Sequence, residues 1–173
     1  MATFTWKGVA PGDSAVLFWY RKAQRLSDLL RRTLESDRTR IVRQFKRSHG
    51  YEPNLADPKT WNEKLHGRKL YDHDPLYTRC ADKYAVRGFV EEVVGPQHLV
   101  PLLGVYDDAR KIEFSKLPDQ FVIKANHGSG WNRIIRSRSD CDERSIVIRC
   151  NKWLAKNYYV NQREWQYKNI RPL

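Results

Sequence analysis

The stretch FVIKANHGSGWNRII, residues 121–135, decides how the rest of the chain is interpreted. Its two ends, residues 121–123 and 134–135, consist of apolar residues that favour β-strands. Between them lies Gly-Ser-Gly at 128–130, so the pattern predicts a strand, a glycine loop and a second strand. Glycine permits a positive φ angle and lets a ligand approach its backbone N–H group. The glycine loop, residues 128–130, therefore either closes a plain β-hairpin or binds a phosphate group.

Lys124 lies on the first predicted strand, shortly before the glycine loop. Strand alternation places Val122, Lys124 and Asn126 on one face and their neighbours on the other. A lysine and an asparagine on one face, next to free backbone N–H groups, suit a phosphate. The alternative from the local sequence is a solvated lysine on an edge strand.

The common phosphate-binding motifs do not fit this stretch. A Walker loop needs Gly-Lys-Ser/Thr at the start of a helix, whereas Lys124 precedes the first glycine by four positions. The catalytic-loop and DFG signatures of protein kinases are missing from the sequence. A dinucleotide fingerprint needs a third glycine and a helix directly afterwards. The remaining interpretation is a β-hairpin with a glycine lid and a lysine on its incoming strand.

The composition predicts a folded protein without a membrane-spanning segment. The chain has 173 residues, of which 40% are hydrophobic and 12% aromatic, enough for one substantial core. Its three scattered cysteines favour neither disulfides nor zinc and suit a reducing cytoplasm. No apolar run reaches the roughly 18 residues that span a bilayer. We expect a cytoplasmic protein, and leave open a peripheral position at the inner face of the membrane.

The N-terminal part carries the larger share of the net charge of +12. Residues 1–50 hold 11 Lys or Arg and 4 Asp or Glu. Such a field attracts phosphates, nucleic acid, anionic lipid or acidic polymers, or simply keeps the protein soluble. Residues 14–35 are predicted to form a helix with one apolar stripe, made of Trp19, Ala23, Leu26, Leu30 and Leu34. We expect the stripe to pack against protein, with an anionic membrane surface as the alternative.

Three further helices are predicted from spacing and from end signals. Residues 39–46 form a short one. Residues 60–71 form another, with Thr60 and Glu63 as a capping box. Apolar residues at helical spacing predict the third over residues 141–156.

The stretch between these helices is predicted from turn residues and apolar runs. Asp74 as cap and Pro75 at the first helical position open a structured segment. The next helix is expected to carry Lys83 in its first turn and to stop at Gly95. The segment HLVPLLGVYDD, residues 98–108, is predicted to be a short strand followed by a loop.

Four segments of the chain together resemble one known family. They are WNEKLHGRKLYDHDPLYTRCADKYAVR (61–87), LVPLLGVYDD (99–108), LPDQFVIKANHGSGWN (117–132) and NKWLAKNYY…REWQYKNIRP (151–172). In this order and spacing they resemble the TupA-like ATP-grasp family, which is named for a protein of teichuronopeptide synthesis and occurs largely in bacterial surface-polysaccharide contexts. The resemblance covers about residues 60–172.

The resemblance implies an α+β fold. We expect a basic helical segment at residues 1–50, followed at 51–173 by a partial ATP-grasp domain. This domain would be the lid-bearing half of the fold, a small mixed or antiparallel sheet with packed helices. Its lid subdomain would cover about residues 106–173.

The resemblance also implies an ATP site and names its residues by motif position. The expected nucleotide-binding residues are Lys83, Lys124, Gly128, Ser129 and Gly130. Three residues that flank the lid are candidate substrate contacts, namely Asn126, His127 and Asn132. A single histidine beside a glycine loop is more often a hydrogen-bonding loop residue than a general acid.

Two classes of function stay open. ATP-grasp members bind magnesium and adenine through residues downstream of the lid, so we expect this chain to lack that half and to need a second chain or the missing half for Mg²⁺. With it, the chain would act as an ATP-dependent carboxylate–amine ligase or transferase in cell-envelope polymer synthesis. The alternative is a non-enzymatic basic module for an anionic polymer, either nucleic acid or an acidic glycan.

Overall fold

The computed structural model describes residues 19, 22–24 and 34–173. Asp37–Leu173 forms one compact unit, and the residues before it form a second unit. In that second unit Trp19, Ala23 and Leu34 are exposed, Leu34 by 84%. The expected packing of the stripe against protein, which included a partner helix, stays a prediction. Its other members, Leu26 and Leu30, lie outside the described residues.

The larger unit has mixed α and β structure, which confirms the predicted α+β class. Its helices are α1 (Asp37–His49), α2 (Trp61–Tyr71), α3 (Pro75–Ala81), α4 (Ala85–Val94), α5 (Glu143–Leu154) and α6 (Tyr158–Gln162). Its strands are β1 (Phe121–Lys124) and β2 (Asn132–Ile135), which form one antiparallel sheet. Short 3₁₀ turns connect several of these elements. Among the described residues, no helix combines the length and the apolar character needed to cross a membrane.

Side-chain caps fix the starts of α2 and α3, as predicted. The Thr60 hydroxyl accepts the Glu63 N–H at 3.2 Å, and the Glu63 carboxylate accepts the Thr60 N–H at 2.9 Å. The same buried carboxylate accepts the N–H groups of Asn54 and Lys59. These hydrogen bonds, that from Thr60 foremost, lower the pKa of Glu63 to about 2. At α3, Asp74 accepts the N–H of Leu76 at 2.8 Å.

The predicted hairpin is confirmed. Phe121 pairs with Ile135, and Lys124 pairs with Asn132 at the end next to the glycine loop. Because side chains alternate, Phe121 is buried while Lys124 is exposed. The buried face packs on α5 and on the turns before β1, and this core consists of Ala109, Phe114, Phe121, Ile135, Ile146 and Cys150.

Two sequence predictions between α3 and β1 are wrong. Residues 99–108 form no strand, because a strand needs a paired neighbour and the one sheet among the described residues is β1–β2. Val100, Leu102 and Leu103 of this segment remain exposed. Lys83 does not lie in the first turn of α4, because the chain turns at residues 82–84 before that helix begins.

Candidate functional site

The glycine loop joins β1 to β2 and needs glycine at two positions for different reasons. A Cβ atom on Gly128 would lie 2.6 Å from Cε3 of the Trp131 ring, so that ring excludes any side chain. Gly130 has a φ angle of +74° and open space around it, so its requirement comes from the backbone. Gly128 is buried, whereas Ser129 and Gly130 are exposed. The exposed half of the loop is therefore the part that a ligand can approach.

Aromatic side chains hold the loop in place from below. The Trp131 ring lies edge to face against His127 and Tyr158, with centroid distances of 5.2 and 5.5 Å. Trp131 thus packs within the protein, and Tyr158 is a contact for which the sequence offered no signal.

The two predicted lysines meet at this loop. Lys83 is half-buried, and its ammonium group donates to the carbonyl of Gly128. Its backbone N–H donates to the Asn126 carbonyl at 3.3 Å. Burial, and then the positive charge of Lys124, lower the pKa of Lys83, while Asp82 acts in the opposite direction. Lys83 and Lys124, called the lysine pair below, therefore share one electrostatic environment although they lie 41 positions apart.

Asn126 does not share the exposed face of Lys124, so that expectation is wrong. Strand β1 ends at Lys124, and Asn126 is 4% exposed. Its amide donates to the Asp82 carboxylate at 3.0 Å and to the Arg171 carbonyl at 2.9 Å. The side chain points into the protein because the alternation of the strand stops two residues earlier.

The other two candidate substrate contacts differ from each other. His127 is 2% exposed, and its ring nitrogens lie 3.1 Å from Asn126 Oδ1 and 3.0 Å from the Trp153 carbonyl. It therefore ties the loop to the end of α5. Asn132 is exposed and lies opposite Lys124 in the hairpin, so its amide faces the same solvent region as the lysine pair.

The adjacent acidic residues Asp107 and Asp108 are engaged by neighbouring cations. Residues 19, 22–24 and 34–173 contain no group of three His, Cys, Asp or Glu that is able to hold a metal ion. Asp107 and Asp108 bind Lys111 and Arg110, and these bonds lower the pKa of both carboxyl groups. Magnesium is usually held by one or two carboxylates together with substrate phosphates. The lysine pair and the glycine loop, in contrast, offer donors that suit an anion.

Comparison with known proteins agrees with this chemistry. A sequence model of one family, described as TupA-like ATPgrasp, matches residues 63–173. The matched part contains the lysine pair and the whole glycine loop. No curated protein and no solved structure matches the chain.

Proposed function

The chain belongs to the TupA-like ATP-grasp family, and from this premise we propose that it binds the phosphates of ATP between the lysine pair and the glycine loop. The carrying observation is that the Lys83 ammonium group donates to the Gly128 carbonyl of the glycine loop, while the positive charge of Lys124 lowers the pKa of Lys83. Among the ion pairs within residues 34–173, none includes either lysine. Asp82 offsets part of the repulsion between the two lysines, but neither lysine forms an ion pair with it, and two such cations favour a bound anion.

The exposed face of the hairpin also carries an apolar pair beside the lysine end. Val122 and Ile134 face each other across the strands and are 47% and 53% exposed. They lie two positions from the Lys124–Asn132 pair along each strand, so both pairs lie on the same face. We place the phosphates at the lysine end and leave the adenine to residues downstream of the lid, where ATP-grasp members bind it.

The reaction that we propose for the bound nucleotide is an ATP-grasp ligation or transfer in the assembly of a bacterial cell-surface polymer. ATP supplies the phosphoryl group. The residues of this chain neutralise its charge and fix its orientation, which is where most of the catalysis of phosphoryl transfer arises. Magnesium ligands would come from outside the described residues. A position on the cytoplasmic side of the envelope follows from the use of ATP.

Calorimetric titration with ATP and with inorganic tripolyphosphate tests the phosphate assignment. A hydrogen bond to a charged group contributes about 1.5–3 kcal/mol, so Lys124→Met and Lys83→Met should each weaken ATP about 10- to 100-fold. Lys64→Met is the matched control, because Lys64 is an exposed lysine on α2, outside the hairpin and its glycine loop. Equal affinity of all three variants would refute the assignment.

One observation favours a second candidate, an anionic polymer bound on α5. Arg144, Arg149 and Lys152 are exposed, line one shallow groove, and form no ion pair within residues 34–173. Counterion release makes such binding fall steeply with salt. Binding of heparin or single-stranded DNA that is lost in a triple Ala variant of these residues, and unaffected by ATP, would support this candidate.

A further inference from the structure

We propose that Asn126 is a positioning residue that sets where the Lys83 ammonium group stands relative to the glycine loop and Lys124. The role of Lys83 toward ATP rests on the proposed function, whereas the positioning itself is a property of the free protein. Asn126 itself is buried and directed away from solvent, so it acts through Lys83 and does not contact the nucleotide.

The Asn126 amide uses its full hydrogen-bonding capacity. Its Oδ1 accepts from the Leu173 N–H at 2.7 Å and lies 3.1 Å from the His127 ring. Its Nδ2 donates to the Asp82 carboxylate and to the Arg171 carbonyl. These four contacts fix the orientation of the amide, since a flipped amide would place donors against the Leu173 N–H and the carbonyl oxygen against two acceptors.

Asn126 determines the turn that carries Lys83 through its side-chain amide and through its backbone carbonyl. Asp82 Oδ1 accepts the N–H groups of Tyr84 and Ala85, at 2.8 and 3.2 Å, and so shapes the turn before α4. The Asn126 amide holds that same oxygen at 3.0 Å. The Asn126 carbonyl accepts the N–H of Lys83 itself. The residues on either side of the Lys83 side chain are thus tied to the end of β1.

The hydrogen bonds of the Asn126 side chain require an amide. Aspartate has the same shape but cannot donate, and it would place a carboxylate against Asp82 and the Arg171 carbonyl. Leucine has a similar volume but leaves Asp82 Oδ1 and the Leu173 N–H without these partners. Either change removes the amide that holds Asp82, and only aspartate adds a negative charge.

The test measures the position of Lys83 without any nucleotide. Acetic anhydride labels the neutral amine, so labelling across a pH series, read by mass spectrometry, gives the titration midpoint of each lysine. In the native protein the midpoint of Lys83 lies below that of an ordinary lysine, because of burial and of Lys124. Asn126→Leu should raise it as Lys83 moves into solvent, while the exposed Lys156 keeps its midpoint in every variant.

A matched control separates positioning from general loss of stability. Asn151 is a part-buried amide whose Oδ1 accepts the Ala109 N–H at 3.0 Å and whose Nδ2 lies 3.4 Å from Asp108. Asn151→Leu removes the same class of contact, and it should leave the Lys83 midpoint unchanged. If Asn126→Leu fails to fold, Asn126→Ala carries the test with Asn151→Ala as its control, because alanine removes the amide without adding a charge near Lys83.

ATP titration of the same variants distinguishes the positioning role of Asn126 from the role of Lys83 in binding ATP. Loss of at least 10-fold in affinity in Asn126→Leu, with the Asn151→Leu control at the native value, is expected. A raised Lys83 midpoint with unchanged ATP affinity would leave the positioning role intact and refute the ATP role of Lys83. A native midpoint in folded Asn126→Leu or Asn126→Ala would refute the positioning role whatever ATP does.

Discussion

Alanine at Gly128 and alanine at Gly130 are expected to destabilise the glycine loop by different mechanisms, which one further substitution separates. At Gly128 the added Cβ would lie 2.6 Å from Cε3 of Trp131 and 3.0 Å from Cδ2 and Cζ3. At Gly130 nothing lies within 4 Å of the added atom, but the φ angle is +74°. The first cost is therefore steric and depends on Trp131, and the second lies in the backbone alone.

The expected magnitudes are similar, so a single measurement would not tell the mechanisms apart. Carbon atoms rest at about 3.5–4.0 Å, so the Trp131 ring must withdraw by roughly 1 Å, and such overpacking costs about 1–3 kcal/mol. A left-handed alanine costs about 1–2 kcal/mol, of which about 0.4–1 kcal/mol is offset because alanine restricts the unfolded chain.

Urea unfolding of a double-mutant cycle with Trp131→Leu decides between them. Leucine removes the ring atoms that meet the added Cβ, so the cost of Gly128→Ala should fall by about 1 kcal/mol or more in that background. The cost of Gly130→Ala should stay the same within about 0.5 kcal/mol. Equal coupling of Trp131 to both glycines would refute the steric explanation, as would a Gly128→Ala variant as stable as the native protein.

Three further outcomes are expected. The hydrogen bonds to the Glu63 carboxylate, that from Thr60 foremost, lower its pKa from the ordinary value of 4.5 to about 2. The ionised carboxylate therefore stabilises the fold fully above pH 4.5, and this stabilisation is lost as the pH falls toward 2. Urea midpoints should therefore fall more steeply between about pH 6 and 3 in the native protein than in Glu63→Gln. Lys124→Met should raise the pKa of Lys83, measured by acetic anhydride labelling, and an unchanged midpoint would contradict their proximity. Cys80 should react with Ellman's reagent in the folded protein, whereas Cys150, whose burial raises its thiol pKa, should react only after unfolding.

The sequence predicted those features whose partners lie a few residues apart. The Thr60–Glu63 capping box spans three positions, and the Asp74 cap spans two, so each is encoded by its own neighbourhood. The hairpin was predicted for the same reason, because β1 and β2 are adjacent in sequence and joined by a short loop. The family resemblance added the pairing of Lys83 with the glycine loop, which no local pattern contains.

The errors fall where distant residues decide. Asn126 was expected to follow the alternation of β1, but Arg171 and Leu173, 45 and 47 positions away, draw its amide inward. The apolar run at 99–105 has the composition of a strand and lacks a paired strand among the described residues. Composition gives the tendency of a segment, whereas burial and pairing depend on what the rest of the chain brings near it.

The lysine pair also permits a purely structural interpretation, which explains less of the observed geometry. Lys83 donates to the Gly128 carbonyl. A neutral donor would form the same hydrogen bond at a lower desolvation cost. Lys124 forms no ion pair within residues 34–173, yet its charge disfavours the protonated form of Lys83. A fold that needed only a link between the turn and the loop would gain stability by losing one of these cations. An anion bound between the two lysines changes their mutual repulsion into a shared attraction to the ligand. Each lysine then stabilises the bound ligand, and the ligand stabilises the charged form of both lysines. Under the proposed function, anion binding accounts for the pair, and two cations suit the phosphates of a nucleotide better than a single carboxylate.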